Sequence, residues 1–445
     1  MDWSRRDVLK LAGLALGCRG GAAREARNVV LITADDLGWK DLASGGNPNV
    51  ATPQLDRLAR GGVSFRNAFD VTSTCSSSRA TWATGLYPHT HGVTGLVHRD
   101  QALSLSPRTP TLAARLRAAG LRTGIEGKWH LAFPRTPEPY GYDEVMTSWD
   151  TQLIVDSTRA RGFIARNAER RFFLEVNYMN PHRNWRGQFE PHPDHPVDPA
   201  ALVMPEYAQL VDVPGARAEL AAFYSQIQRM DALVGELVSA LEEHRLLDDT
   251  LIAFISDNGM PFPGNKLTLH DRGTGTPFFL HWPAVLPAGA QRDDLVSSVD
   301  LLPTLLEAAG AELPAGLQGR TVLEGDPRDA VFAEMTTHTD TPFPMRSVRT
   351  ARYRYIRNYS DVPVPLEPDD APWVLEVLAA RPQGCRWGER RVPEELYDLS
   401  VDAHERVNLA GEAAAASALA DLRARLDAHM TATADPWLGR PFETV

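Results

Sequence analysis

The chain has 445 residues, of which 43% are hydrophobic, and a formal net charge of -11 at pH 7. This length and apolar content support a large buried core, with room for a main domain and a smaller one. A net negative chain lacks the basic field that polyanion binding needs, which argues against a nucleic-acid partner. Three cysteines in so long a chain exclude a disulfide-based scaffold, although one pair between Cys75 and Cys385 remains open.

Residues 1–26 are interpreted as a targeting segment rather than as part of the folded domain. Arg5 and Arg6 precede an apolar stretch that is too short to span a bilayer, a pattern that resembles a twin-arginine export signal. We therefore expect export to the periplasm or the extracellular space, with the twin-arginine (Tat) export machinery as a partner. Cys18 lies in a sequence that loosely resembles a lipoprotein cleavage box, so lipid anchoring and ordinary cleavage are both open.

The mature chain alternates short apolar runs with helical patterns. Runs typical of strands buried on both faces occupy residues 28–33, 172–178, 250–256 and 277–282. Helices are predicted over residues 110–119, 218–244 and 300–309. Strands that alternate with helices predict an α/β fold, in which crossover connections build a layered sheet.

Two later parts of the chain have different patterns. Residues 181–217 are rich in Pro, His and Asp and are predicted to form a long surface loop. Residues 347–359 alternate in the manner of half-exposed antiparallel strands, and residues 395–399 predict a further short strand. With a helix predicted over residues 413–430, the C-terminal part should be a small sheet capped by one helix.

Acidic residues follow two of the predicted strands. Asp35 and Asp36 come directly after the first strand, and Asp257 and Asn258 come directly after the strand at 250–256. Open α/β sheets bind ligands at the carboxyl ends of their strands, so the two pairs can converge there. Three carboxylates and an amide oxygen suit calcium or magnesium, whereas zinc would favour histidines. Either pair alone is more often a turn or a helix cap, but the matched strand context favours a metal site.

Cys75 begins a run of small hydroxyl residues that is compatible with a helix. This pattern places residue 75 at a helix N-terminus, where backbone N–H groups and the helix dipole favour anions. Composition alone favours a buried structural cysteine or a disulfide with Cys385.

The segment from Cys75 to Gly85 resembles the signature of the sulfatase family, Cys-x-Pro/Ala-Ser-Arg followed by four residues and Thr-Gly. The matching residues are Cys75, Ser78, Arg79, Thr84 and Gly85. Ser77 stands where the family has Pro or Ala. Segments that resemble further family motifs, in the family's order, are residues 29–52, 127–131, 180–183, 266–273 and 395–409.

The resemblance implies an alkaline-phosphatase-like α/β/α sandwich with a large mixed, mostly parallel sheet, plus a small C-terminal antiparallel sheet packed with a helix. It implies a catalytic sulfatase domain over residues 27–330 and a C-terminal subdomain over 331–445. The implied activity is hydrolysis of sulfate esters, or of sulfamates as in the heparan N-sulfatase branch, on a sulfated carbohydrate or similar anionic substrate. The alternatives are a phosphonate or phosphodiester hydrolase of the same superfamily, and a non-catalytic carbohydrate-binding relative with an unmodified Cys75.

The same resemblance implies that a formylglycine-generating enzyme oxidises Cys75 to formylglycine, whose hydrated form binds one calcium ion (Ca2+) and attacks sulfur. The implied metal ligands are Asp35, Asp36, Cys75 after conversion, Asp257 and Asn258. The implied catalytic residues are Cys75, Arg79, Lys128, His130, His182 and Lys266. Arg79 would stabilise the nucleophile, and Lys128 and Lys266 would contact the sulfate oxygens. His130 would hydrogen-bond the nucleophile's hydroxyl, and His182 would protonate the leaving oxygen.

Overall fold

The structure is a computed structural model. It describes residues 25–97, 103–134, 136–146, 156–184, 186–338, 341–366, 371–380 and 387–445. Residues 1–24 of the expected export signal, with Cys18, and also Cys385 lie outside the described residues. Export, lipidation and a disulfide between Cys75 and Cys385 therefore stay predictions. Within the described ranges, no helix combines the length and the apolar character needed to cross a membrane.

Eight strands of the described residues form the main sheet. They are β1 (Asn28–Asp35), β2 (Val63–Phe69), β3 (Arg122–Gly127), β4 (Glu144–Val145), β5 (Phe172–Pro181), β6 (Thr250–Ser256), β7 (Phe278–His281) and β8 (Ala290–Ser297). Their order across the sheet is β4-β3-β5-β1-β6-β7-β2-β8. Strand β7 runs antiparallel to β6 and β2, and the other adjacent pairs are parallel. The prediction of a mixed, mostly parallel sheet is confirmed.

Helices cover both faces of this sheet. The α-helices of the described residues, on this sheet and elsewhere in the chain, are α1 (Pro53–Arg60), α2 (Cys75–Thr84), α3 (Pro88–His91), α4 (Leu112–Ala118), α5 (Thr158–Asn167), α6 (Pro214–Glu243), α7 (Asp271–Thr274), α8 (Leu301–Ala308), α9 (Pro372–Ala379) and α10 (Ala416–Ala432). On β1, Val30 and Ile32 belong to a core shared with α6, whereas Val29 and Leu31 belong to a core shared with α4 and α8. Burial on both faces explains the continuous apolar run of β1 and confirms the α/β/α sandwich.

The longest helix begins earlier than its apolar spacing predicted. Helix α6 begins at Pro214, four residues before the predicted start, in a stretch that was assigned to the surface loop. Proline is favoured in the first helical turn because the N–H that it lacks would have no helical acceptor there. The preceding segment contains two single turns of 3-10 helix, Pro199–Ala201 and Glu206–Ala208.

A second, antiparallel sheet follows the main domain. Its strands are β9 (Ala330–Thr337), β10 (Pro342–Thr350), β11 (Tyr353–Asn358) and β12 (Glu394–Asp398), in the order β12-β11-β10-β9. Helix α10 packs on one face against Val348, and on the other face Ile356 packs against Leu267 and Leu269 of the main domain. The small sheet with its helix is confirmed. The expectation of half-exposed strands is wrong, because both faces are covered and residues 343–349 are all buried.

Candidate active site

The carboxyl ends of β1 and β6 lie side by side and bring the two acidic pairs together. The backbone N–H of Asp36 donates to a carboxylate oxygen of Asp257 at 3.0 Å. The side-chain amide of Asn258 donates to a carboxylate oxygen of Asp36 at 2.7 Å. With Asp35 at the end of β1, these four residues are at most 1% exposed. The structure therefore places all four in one buried cluster.

Cys75 is the first residue of α2, and its thiol points at this cluster. The Sγ atom lies 3.5 Å from Asp35 Oδ1 and 3.7 Å from Asn258 Oδ1. Burial, together with the negative charges of Asp257 and Asp35, raises the pKa of the Cys75 thiol well above its usual range. Burial and these charges therefore favour the neutral thiol over the thiolate.

Arg79 lies one turn further along α2, where its guanidinium bridges two carboxylates. Its Nη2 atom is 2.8 Å from Asp257 Oδ2 and 3.4 Å from Asp35 Oδ2, and its Nε atom donates to Asp257 at 3.0 Å. Burial opposes the charged form, but the two carboxylates outweigh it and raise the pKa of Arg79. Arg79 is thus a fixed positive charge at the base of the site.

Lys128 and Lys266 place two ammonium groups beside the acidic pair at the end of β1. Lys128 directly follows β3, and its Nζ atom contacts Asp35; Lys266 Nζ lies 2.9 Å from Asp36 Oδ1. Both lysines are 5% exposed. Burial disfavours the charged carboxylate of Asp35, but nearby positive charges, above all that of Lys128, hold its pKa below the usual value. The site therefore combines ionised carboxylates, which suit a metal cation, with cationic groups, which suit an anionic substrate.

His182 follows β5 and is the more accessible of the two predicted histidines. Its Nε2 atom lies 3.7 Å from Asp36 Oδ2, and its Nδ1 atom lies 2.5 Å from the backbone oxygen of Arg183. Because a carbonyl oxygen only accepts, Nδ1 carries a proton and Nε2 is the atom at which a proton can be exchanged. The side chain is 28% exposed, which suits contact with a leaving group. His130 is buried two residues beyond Lys128, and its contact with the nucleophile stays a prediction.

Several possible metal ligands converge in this cluster. Among the described residues, Asp35, Asp36, Cys75 and His182 form a group whose possible ligand atoms all lie within 4.8 Å of one another, so a sulfur and a nitrogen stand beside the carboxylate oxygens. Arg79 occupies Asp257 Oδ2 with two of its nitrogens, whereas Asp257 Oδ1 accepts from the Asp36 N–H and keeps a second lone pair for a metal. Asn258 Oδ1 faces the Cys75 sulfur, so an oxygen at residue 75 would share a centre with this amide. Oxygens from carboxylates and an amide fit calcium better than zinc.

Two polar residues that organise the site were not predicted from the sequence. Thr33 on β1 and Asn177 on β5 lie opposite each other, and the Thr33 hydroxyl donates to Asn177 Oδ1 at 2.7 Å. The Arg79 guanidinium donates to the same hydroxyl oxygen at 3.3 Å. Their signal in the sequence is a polar residue inside an apolar strand run, since a buried polar group needs a partner.

Two family models match the chain. The model described as sulfatase matches residues 27–311, and the model described as N-sulphoglucosamine sulphohydrolase, C-terminal, matches residues 264–365. Among curated proteins, human N-sulphoglucosamine sulphohydrolase is 33% identical to this chain over 465 residues, which cover 93% of this chain and 92% of the relative.

Solved structures share the fold. A protein in complex with its substrate D-glucosamine-2-N,6-O-disulfate is similar with a TM-score of 0.72 and 19% identity, covering 94% of this chain and 99% of that chain. A phosphonate monoester hydrolase from Silicibacter pomeroyi is similar with a TM-score of 0.71 and 20% identity, covering 93% of this chain and 96% of that chain. Because a sulfatase model covers more than half of the chain and a 33% identical sulphohydrolase aligns with nearly all of it, the chain belongs to the sulfatase family of sulfuric ester hydrolases.

Proposed function

We propose that the protein is a calcium-dependent sulfatase whose nucleophile is formylglycine made from Cys75. The observation that carries the proposal is the position of Cys75 at the start of the buried helix α2, with its side chain directed between Asp35 and Asn258. Its raised pKa disfavours thiolate chemistry. An oxygen nucleophile at the same position would be surrounded by metal-binding oxygens and by three cationic side chains.

The other residues of the site have complementary proposed roles. A calcium ion held by the oxygens of Asp35, Asp36, Asp257, Asn258 and the converted residue 75 would supply Lewis-acid polarisation of the sulfate group. Arg79 holds the Asp35 and Asp257 carboxylates and stabilises negative charge at residue 75. Lys128 and Lys266 are close enough to the cluster to bind sulfate oxygens as their charge increases in the transition state. His182 donates a proton from Nε2 to the leaving oxygen or nitrogen.

The proposed substrate is a sulfated carbohydrate, with an N-sulfated glucosamine unit as the first candidate. The support is the similarity of nearly the whole chain to human N-sulphoglucosamine sulphohydrolase. The second family model adds support, because its match includes both the Lys266 segment and most of the C-terminal sheet. Sulfate esters of related sugars belong to the same substrate class.

We also propose that a formylglycine-generating enzyme matures Cys75 and that the Tat machinery exports the protein. These proposals rest on the signature around Cys75 and on Arg5 and Arg6. Replacing Arg5 and Arg6 together by lysine should keep the protein in the cytoplasm, as cell fractionation would show. Export at the wild-type level in that variant would contradict the Tat proposal.

The first test is the mass of the tryptic peptide 67–79 from protein made in a host that contains a formylglycine-generating enzyme. We expect an aldehyde in place of the Cys75 thiol, and we expect a folded but inactive protein for Cys75→Ala. A plain thiol in an active protein would refute the proposed nucleophile.

The second test is turnover of an aryl sulfate, N-sulfoglucosamine and a phosphonate ester, each with and without a calcium chelator. We expect turnover of the sulfur substrates that stops on chelation and returns with calcium. Turnover of the phosphonate alone would contradict the sulfatase activity, and turnover that survives complete calcium removal would contradict the proposed metal.

A further inference from the structure

We infer that Asn177 is a positioning residue that holds both Lys128 and Arg79 in place, an inference that rests on the proposed function of these two cations. Asn177 lies on β5 between β3 and β1, and it is 2% exposed. It pairs with Gly127 on one side and with Thr33 on the other. One side chain in the middle of the sheet can therefore reach towards both cations.

The first arm of the Asn177 network holds the backbone of Lys128. The Lys128 N–H donates to the backbone oxygen of Asn177 at 2.9 Å, and Asn177 Nδ2 donates to the backbone oxygen of Lys128 at 2.9 Å. Strand β3 ends at Gly127, which has a φ of 93°, so the chain leaves the regular strand there. The Asn177 side chain therefore continues the hydrogen bonding between β5 and β3 for one residue beyond the end of β3. That residue is Lys128, whose side chain contacts Asp35.

The second arm reaches Arg79 through Thr33. A guanidinium group only donates, so the Thr33 oxygen accepts from Arg79 and its single hydroxyl proton goes to Asn177 Oδ1. This requirement fixes the orientation of the Asn177 amide, with Oδ1 towards Thr33 and Nδ2 towards its acceptors. Arg79 is thereby held by a neutral hydroxyl in addition to its carboxylate partners.

Glu175 and Tyr142 anchor the network on its far side. Glu175 Oε1 accepts from Asn177 Nδ2 at 2.8 Å, and Glu175 Oε2 accepts from the Tyr142 hydroxyl at 2.5 Å. The two Asn177 Nδ2 hydrogens and the hydroxyl protons of Thr33 and Tyr142 all face acceptors, and flipping the Asn177 amide would set its oxygen against the acceptor oxygens of Lys128 and Glu175. A hydrogen-bonded network with these donors satisfied is rigid, and its members act together.

The experiment compares Asn177→Leu, which removes the side-chain hydrogen bonds of both arms at similar side-chain size, with Thr33→Val, which removes the Arg79 arm alone. In protein of equal formylglycine content, we expect Asn177→Leu to lower kcat by about tenfold or more and to weaken inhibition by inorganic sulfate. We expect a smaller loss for Thr33→Val. Because each substitution breaks the Thr33–Asn177 hydrogen bond, the loss of kcat in the double variant should be smaller than the sum of the two single losses, expressed as free energies.

The matched control is Asn167→Ala. Asn167 is also a buried asparagine, but its amide donates to the Phe163 carbonyl within α5, away from the site. We expect wild-type kcat and wild-type sulfate inhibition in this variant. A loss in the control equal to that of Asn177→Leu would make the effect one of general stability and would overturn the inference.

Two further results would also overturn it. One is full additivity of the Thr33 and Asn177 substitutions, and the other is a crystal structure of Asn177→Leu in which Lys128 and Arg79 keep their contacts with Asp35 and Asp257. The crystallographic readout is independent of turnover, so wild-type protein that hydrolyses no sulfate or sulfamate would refute the proposed function alone. If Asn177→Leu does not fold, Thr33→Val alone decides, since wild-type kcat in that variant would contradict the Arg79 arm.

Discussion

Replacing Lys128 by methionine tests the electrostatics of the site most directly. Methionine keeps much of the aliphatic volume but removes the ammonium group that contacts Asp35, a residue with 0% exposure. Removing one partner of a buried ion pair costs roughly 3–5 kcal/mol. Because Arg79 Nη2 remains 3.4 Å from the same carboxylate, we expect the free energy of unfolding to fall by about 3 kcal/mol, near the lower end of this range. The lost charge beside the sulfate group should also lower kcat by about 100-fold or more.

The loss of stability in Lys128→Met should depend on pH. In the wild type the pKa of Asp35 is lowered. The contribution of Asp35 to the free energy of unfolding is therefore present above 3.8, the pKa of this group in the unfolded chain, and is lost as the pH falls through the folded pKa. Without Lys128, the strongest of the charges that lower this pKa is absent, so the folded pKa of Asp35 should be higher in the variant than in the wild type. Protonation of Asp35 removes the buried charge that has lost its lysine partner, so the stability difference between the two proteins should shrink as the pH falls through the variant's folded pKa. The difference should therefore be larger at about pH 7.5 than at about pH 4.

The assay is urea denaturation of both proteins at the two pH values in the presence of a calcium chelator, because bound calcium would itself offset the Asp35 charge. The value of kcat for a sulfate ester is measured separately, with calcium and at equal formylglycine content. The control is Lys40→Met, because the Lys40 ammonium lies over the Trp39 and Tyr207 rings rather than in the site, at 4.9 and 5.6 Å from their centroids. We expect the control to change the free energy of unfolding by no more than about 1 kcal/mol. An unchanged free energy of unfolding at the higher pH, with wild-type kcat in Lys128→Met, would refute the reasoning.

Three further outcomes follow from individual contacts. The buried Ser77 hydroxyl has no hydrogen-bond partner among the described residues. Ser77→Ala should therefore raise the free energy of unfolding by about 1 kcal/mol and leave the aldehyde content of residue 75 unchanged. A variant less stable than the wild type would contradict this expectation. Asp257→Ala should lose bound calcium, as elemental analysis of the purified protein would show, and stoichiometric calcium would count against the proposed ligands. His89 bridges Glu334 and the backbone oxygen of Thr433; despite burial, Glu334 raises its pKa above 6.5. The contribution of His89 to the free energy of unfolding is thus complete below pH 6.5 and is lost as the pH rises through the folded pKa. His89→Gln should therefore destabilise the protein most in acid. A difference between variant and wild type in urea denaturation that does not change with pH would contradict this expectation.

The sequence was sufficient for four of the eight strands of the main sheet and for the charged groups of the site, whereas β2, β3, β4 and β8 were not predicted. Strands buried on both faces need continuous apolar runs, and such runs correctly located β1, β5, β6 and β7. The acidic pairs that follow β1 and β6 predicted a convergence that the parallel pairing of these strands explains. The helix start at Cys75 was also visible, because a local run of small residues permits it.

Local patterns failed where burial depends on distant parts of the chain. The alternation in residues 347–359 predicted half-exposed strands, but a helix and the main domain cover the two faces of that sheet. Polar residues in the sheet are therefore buried through pairing; Arg354, for example, lies against Asp271. Periodicity describes one element at a time and contains no information about what packs against it.

The sequence by itself determined the family, the apolar core of the main sheet and the chemical groups available to the site. Only the tertiary structure decided how those groups are held. Thr33 and Asn177 are 144 residues apart in the chain, and their hydrogen bond exists because parallel pairing sets β1 against β5 in one register. Donor and acceptor directions then fix the Asn177 amide and, through it, Lys128 and Arg79. Such cross-strand contacts have no local sequence pattern, because they depend on which strands become neighbours when the chain folds.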